Sequence, residues 1–145
     1  MHVRSDRRWS FPATPERFWD VVASVDEYPT WWPWLRRFEA DALATGARWK
    51  CTVSPPLPYR IRFDLRMEEV LRPWLARASV TGDIRGSARM DVTPVDGGCQ
   101  VRLRSDLVPA HPSLRVASAV TRPMIRWGHD WVLDTGVRQL RSRAL

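Results

Sequence analysis

Two cysteines, one lysine and no apolar run of eighteen residues are the first features of this sequence. Cys51 and Cys99 fall in different candidate strands and share no C-x-x-C or metal-ligand spacing. That excludes a disulfide framework and a zinc ribbon, and predicts two free thiols and no metal or other cofactor. Without a long apolar run there is no membrane-spanning helix. The opening residues, His2-Val3-Arg4-Ser5-Asp6-Arg7-Arg8, lack the apolar core of a signal peptide, so a cytoplasmic location is expected. Glycine is sparse as well. Gly82 and Gly86 have neither the strand-to-helix context nor the lysine of a phosphate-binding loop. Lys50 stands alone among 23 basic residues, so the net charge of +7 is carried by arginine. These arginines alternate with Asp and Glu along candidate strands, as on a solvated sheet face, rather than forming a basic stripe. No nucleic-acid partner is expected.

What is abundant is tryptophan, with nine in 145 residues. Trp is large and amphipathic, and it both fills cores and lines ligand sites. A length of 145 residues with 44% hydrophobic residues suits one domain over 1–145 with a sizeable core. Whether it is a monomer or a homodimer is left open by the sequence.

Along the chain, Val3, Ser5, Arg7, Trp9 and Phe11 alternate with polar residues, the period of a strand. Thr14-Pro15-Glu16 then reads as an N-cap, a first helical residue and a favourable charge at the positive helix end. Phe18, Trp19, Val22 and Val25 continue at helical spacing, predicting a helix over about 15–24. Asp26 is placed to cap a second short turn. Pro29 and Pro33 prevent a long helix around Thr30-Trp31-Trp32-Pro33-Trp34-Leu35, and the tryptophans must plug a core or line a mouth.

From about 35 to 108 the chain reads as successive strands. Turns are predicted at Thr45-Gly46, Ser54–Pro58, Arg72-Pro73, Gly82–Gly86 and Asp96-Gly97-Gly98. Each strand is apolar on alternate residues only, which describes an antiparallel meander with one wet and one buried face. The cover for that face is a predicted helix between about 113 and 143. Two stripes can be traced on it: Val120, Met124, Trp127 and Trp131, or Ile125, His129, Leu133, Gly136 and Leu140. The sequence does not decide which stripe faces the sheet.

The order strand, two short helices, meander and long C-terminal helix is the helix-grip plan. The chain resembles the START-like (SRPBCC) superfamily, which includes the Bet v 1-type birch-pollen allergen and bacterial polyketide cyclases. Phe11–Trp19 looks like the family's first strand and helix start, Asp26–Trp32 like its second helix, and Gly82–Gly86 like a late turn of its sheet. Arg126–Leu133 is similar to a helix of an uncharacterised bacterial polyketide cyclase/dehydrase branch. The resemblance spans nearly the whole chain. It implies an α+β fold in which about seven curved antiparallel strands wrap the C-terminal helix. It also implies a cavity for a small hydrophobic ligand such as a lipid or polyketide. None of these segments is a catalytic signature, and fold alone does not give function.

Small Ala76, Ala78 and Ala88 on the apolar face leave room for such a cavity. The predicted lining is Trp32, Trp34, Trp49, Cys51, Phe63, Leu65, Met67, Ala78, Met90, Leu103, Ser105, Ile125, His129 and Leu133. His129 is the one weak catalytic candidate. It can hydrogen-bond a ligand, act as a base, or be a core histidine satisfied internally. Asp130 and Asp134 are expected to pair with Arg126 and Arg138 on their own helix. Arg7 is expected to turn outward at a bulge, and no Ser-His-Asp arrangement is recognisable. The leading expectation is a binding or carrier protein rather than an enzyme. The alternatives are a cofactor-free aromatase/cyclase acting by shape with one or two polar groups, and a partner-binding module without ligand. The connections at 31–34, 54–58, 82–86 and 108–113 should cluster at one end and form the mouth.

Overall fold

The computed structural model describes residues 2–110 and 122–145. Seven antiparallel strands form one sheet: β1 (Val3–Phe11), β2 (Leu35–Ala40), β3 (Arg48–Val53), β4 (Ile61–Leu71), β5 (Leu75–Gly82), β6 (Ile84–Val95) and β7 (Gly98–Pro109). Their order across the sheet is β1-β7-β6-β5-β4-β3-β2, so β1 and β2 are the two edges. Helices α1 (Pro15–Ala23) and α2 (Tyr28–Trp31) carry the chain from one edge to the other, and α3 (Arg122–Arg143) follows the last strand. This is the α+β helix-grip plan predicted from the sequence.

Local chemistry sets the boundaries. Thr14 Oγ1 accepts from the Arg17 backbone N–H at 3.1 Å, Pro15 begins α1, and Phe18, Trp19, Val21 and Val22 are buried. Asp26 does not cap the next turn. It lies within a 3-10 turn over Val25–Glu27, and neither that turn nor α2 has a side-chain cap. Asp96-Gly97 closes a two-residue hairpin between β6 and β7, with Gly97 at φ 81°. The Gly82–Gly86 segment is tighter than a loop, since Asp83 alone separates β5 from β6. Gly86 is already inside β6, where a Cβ would stand 1.9 Å from the Asp106 carbonyl oxygen. Glycine is required there because the neighbouring backbone occupies the side-chain position.

Register aligns the inner-face residues in rows. Ser5 faces Ser105, which faces Ala88, which faces Ala78, which faces Met67. One half of the space under the sheet is solidly filled. Trp19, Tyr28, Trp31, Trp49, Cys51, Met67, Ala78 and Val92 pack there, with Trp32, Trp34, Phe38 and Met90 against them. Tyr28 is central to the aromatic contacts, stacking on Phe38 at 5.1 Å and meeting Trp32 edge-on at 4.7 Å. Its hydroxyl donates to the Val22 carbonyl. The tryptophans of the 31–34 segment therefore plug the core and do not line the mouth. Trp32 Nε1 donates to the Gly136 carbonyl and Trp34 Nε1 to Gln139 Oε1, both at 2.9 Å, fastening the second half of α3.

The helix stripe that faces inward is the second one. Ile125, Gly136 and Leu140 are buried and His129 and Leu133 lie beneath the helix, whereas Trp127 is 49% exposed. Val120 and the expected helix start before Arg122 lie outside the described residues. No helix among the described residues is long and apolar enough to cross a membrane.

Both cysteines are buried and unbridged. Burial pushes the Cys51 thiol up to about 12, with the negative charge of Asp64 adding to the shift, and burial also raises Cys99. Cys51 on β3 and Cys99 on β7 stand four strand spacings apart, on the order of 19 Å along the sheet, beyond the reach of a disulfide. Protonated buried thiols are poor nucleophiles. Native protein treated with an alkylating reagent should keep two unmodified thiols by intact mass, and both should react after denaturation. Rapid native alkylation of either would contradict this packing.

Candidate functional site

A cavity of about 290 Å³ lies beneath the first half of α3, beside the packed aromatic half. The sheet floor comes from Val53 on β3, Phe63 and Leu65 on β4, Val80 on β5, Ala88 on β6 and Leu103 and Ser105 on β7. Ile125, Gly128, His129, Val132 and Leu133 of α3 form the roof. Pro55, Tyr59, Ile84 and Pro109 line its end. The wall is almost wholly apolar.

The end wall is tied together by hydrogen bonds between connections. Ser54 N–H donates to the Trp34 carbonyl, Asp83 N–H to that of Arg62 and Ala110 N–H to that of Asp83, at 2.8–2.9 Å. Tyr59 Oη donates to the Met124 carbonyl at 3.2 Å and so fixes the start of α3 to the β3–β4 connection. The connections at 31–34, 54–58, 82–86 and 108–110 thus meet at one end, and positions 111–113 lie outside the described residues. The Trp segment joins this end by its backbone only.

Seven of the residues expected to line the cavity do so: Phe63, Leu65, Leu103, Ser105, Ile125, His129 and Leu133. The structure places the other seven elsewhere. Trp49, Cys51, Met67 and Ala78 are in the filled core, and Trp32, Trp34 and Met90 pack against it. Trp49, Cys51, Met67, Ala78 and Met90 lie on the inner side, as their alternation requires, and Trp32 and Trp34 reach it from the irregular segment before β2. That side is long enough to hold both a solid core and a cavity, which a strand period cannot distinguish. Of the three alanines read as leaving room, Ala88 is on the cavity wall, while Ala78 belongs to the core and Ala76 packs against it. Val53, Tyr59, Val80, Ile84 and Val132 line the cavity and were not predicted. Val53 and Val80 are visible in the strand alternation, whereas Ile84 falls in the segment read as a turn and instead begins β6. Tyr59 was hidden in a proline-rich connection.

Polar groups gather at one point of the wall. Ser105 Oγ is 3.5 Å from His129 Nε2, and His129 Nδ1 is 3.5 Å from Asp130 Oδ1. Asp130 is 3.6 Å from Arg7 Nη1, and Arg7 Nη2 pairs with Asp134. Three expectations are corrected here. Arg7 does not turn outward, because on the inner face of β1 it meets the helix carboxylates. Asp130 and Asp134 pair with this strand arginine rather than with Arg126 and Arg138. Arg126 instead donates to the Arg4 carbonyl at 2.6 Å. A Ser-His-Asp arrangement does exist, assembled from β7 and two adjacent residues of α3. The sequence hid it because Ser105 and His129 are brought together only by the fold.

Burial holds the His129 imidazolium below its usual range, against the opposing pull of the Asp130 carboxylate, while Arg126 and Arg7 disfavour the cation further. His129 is therefore neutral at pH 7. A carboxylate only accepts, so Nδ1 carries the proton toward Asp130 and Nε2 is left as an acceptor facing Ser105 and the cavity. The site can bind an apolar molecule, accept one hydrogen bond from it, and take up a proton at a single atom. Among the described residues, no three His, Cys, Asp or Glu side chains gather as a metal site.

The sequence matches the family described as polyketide cyclase / dehydrase and lipid transport over residues 2–144. No curated protein matches it. Solved structures share the fold at low identity. A START superfamily protein from Mycobacterium smegmatis superposes with a TM-score of 0.74 at 15% identity, covering 99% of this chain and 97% of its own. The Zhui aromatase/cyclase from a Streptomyces species gives 0.71 at 16% identity, covering 99% and 98%. A protein from Rhodobacter sphaeroides gives 0.63 at 20% identity, covering 96% and 89%. The arrangement of strands and helices that bounds the cavity is thus shared with these structures, and the chain belongs to the polyketide cyclase / dehydrase and lipid transport family.

Proposed function

We propose that this protein binds a small, flat, hydrophobic molecule in the cavity under α3, as a carrier or binding protein. The observation that supports this most is the wall itself: a cavity of about 290 Å³ with apolar atoms nearly everywhere and one polar spot at Ser105 and His129. Removing about 300 Å² of ligand apolar surface from water offers roughly 7 kcal/mol before the costs of association. That is enough for micromolar binding when those costs are moderate. Since Nε2 of His129 and Oγ of Ser105 both accept, an aromatic ligand carrying one hydroxyl should bind more tightly than its unsubstituted parent.

A second reading, cyclisation of a polyketide chain held by shape, is favoured by the neutral base His129 and by the aromatase/cyclase among the structures that share the fold. The two readings part on turnover. Carriage requires only equilibrium binding, whereas cyclisation requires His129 to move a proton.

A fluorescent apolar probe should bind the protein and be displaced by hydroxylated flat aromatics. Ala88→Phe fills the cavity from its floor and should abolish probe binding while the melting temperature stays within a few degrees. Undiminished binding by a folded Ala88→Phe protein would place the site elsewhere. For hydroxylated ligands, His129→Gln should weaken binding by about 0.5–1.5 kcal/mol, roughly two- to twelvefold, the net value of one hydrogen bond. A polyketide-like substrate turned over a hundredfold faster by the wild type than by His129→Gln would instead favour the cyclase reading.

The depressed affinity of His129 for protons also fixes a pH signature. Above about pH 6.5 the residue is neutral in both folded and unfolded chains, and its contribution to stability is fully present. As pH falls below that value the unfolded chain takes up a proton that the folded site resists. Stability is then lost until the lower, folded-state value has been passed. The melting temperature of the wild type should therefore drop between about pH 6.5 and 5 by more than that of His129→Gln. Parallel curves for the two proteins would show that burial does not hold His129 neutral.

A further inference from the structure

Ordered outward from the cavity stand a hydroxyl, an imidazole, a carboxylate and a guanidinium: Ser105, His129, Asp130 and Arg7. Ser105 and His129 touch the cavity, while Asp130 and Arg7 lie behind them. The ring nitrogen nearest the serine is the acceptor, and the other faces the carboxylate. This is the order of roles in nucleophilic acyl transfer: a base reaches the hydroxyl and a third group fixes the tautomer of the base. The 3.5 Å separations are longer than working hydrogen bonds, and such contacts in unliganded sites commonly tighten when substrate binds.

We propose that Ser105 is a nucleophile activated by His129, that Asp130 is the positioning residue for His129, and that the cavity accepts acyl groups from small, uncharged, apolar esters. The substrate class follows from the wall, which offers nothing to a charge. The proposal goes beyond binding and rests on the cavity admitting an apolar molecule.

In the first step Ser105 Oγ bonds to the ester carbonyl carbon as its proton passes to His129 Nε2. The bond from that carbon to the alkoxy oxygen then breaks, and the leaving alcohol takes the proton from His129. In the second step water attacks the acyl-serine. His129 takes a proton from the water and returns it to Ser105 Oγ as the carboxylic acid departs. Nothing but water is consumed besides the ester. β7 is hydrogen-bonded to β1 on one side and β6 on the other, so its backbone N–H groups are committed to the sheet and not offered to an oxyanion. Loss of one such donor slows acyl transfer on the order of a hundredfold or more. Both acylation and deacylation pass through an oxyanion, so the expected behaviour is slow turnover.

The test labels the full chain with a small-alkyl fluorophosphonate and maps the adduct by peptide mass spectrometry. The oxygen–phosphorus bond to serine forms as the phosphorus–fluorine bond breaks and fluoride leaves. Ser105 should be the labelled serine, and His129→Gln should slow its labelling roughly a hundredfold. The groups facing the imidazole are Ser105 on β7, Arg7 on β1, and Asp130 and Arg126 on α3. In the wild type the rate should rise with the neutral fraction of His129 and then level off. Asp130→Asn should slow labelling and move that rise to lower pH, because the carboxylate raises the proton affinity of the ring. A purely structural Asp130 would leave the midpoint unmoved.

Probe binding by the wild type separates the possible failures. Bound probe with no Ser105 adduct overturns the nucleophile and leaves carriage standing. Neither probe nor adduct overturns both. An adduct at Ser105 whose rate ignores His129→Gln, or climbs steadily with hydroxide across pH 6–9, overturns the relay.

Discussion

The distance between α3 and the sheet is the quantity on which the rest of the structure depends, and two glycines help to set it. A Cβ at Gly136 would stand 3.2 Å from the ring of Trp34, and one at Gly128 would stand 2.1 Å from the hydroxyl of Tyr59. The helix backbone thus rests on a tryptophan pair at one point and on the β3–β4 connection at another, about 12 Å along its axis. A larger residue at either position would lift that part of the helix. Side chains of ordinary size at Ile125, His129 and Leu133 then hang over the sheet without reaching it everywhere.

A helix held this way needs its adhesion concentrated away from the cavity. The aromatic half supplies it through Tyr28, Trp31, Trp32, Trp34 and Trp49, whose indole N–H groups at Trp32, Trp34 and Trp49 all find acceptors at 2.8–2.9 Å. This accounts for five of the nine tryptophans, since Trp19, Trp31, Trp32, Trp34 and Trp49 form the dense end of an unevenly filled core and do not line the cavity, whereas Trp74 and Trp127 are about half exposed. A buried indole is stabilising only if its N–H is paired. At the hollow half, directional polar bonds replace packing. Arg7 meets Asp130 and Asp134, Arg126 meets the Arg4 carbonyl, and Tyr59 meets the Met124 carbonyl. Hydrogen bonds and ion pairs hold a spacing that van der Waals collapse would otherwise close.

The architecture was legible because each of its signals is local. The Thr14-Pro15 cap, the Asp96-Gly97 turn and the period-two strands are decided by neighbours in the chain. The site was legible only in part, for three physical reasons. Alternation reports the side of the sheet a residue faces, and not whether that side is filled, so Trp49 and Met67 looked the same as Phe63 and Leu65. Arg7 seemed too costly to bury because its partners lie more than 120 residues away on another element. Ser105 was an unremarkable polar break in an apolar face until the register put it opposite Ala88 and under His129.

Those same long-range pairings explain why the one polar spot of the cavity has a defined chemistry. An isolated buried histidine is free to choose its tautomer. Asp130 removes that freedom by accepting from Nδ1, and Arg7 holds Asp130 in turn from β1. The ion pair that fixes α3 to the first strand is therefore also what presents Nε2 to the cavity as an acceptor. Stability of the hollow half and chemistry of the wall share one set of contacts. A change at Arg7, which does not touch the cavity, should consequently alter both the seating of the helix and the proton-accepting face of His129.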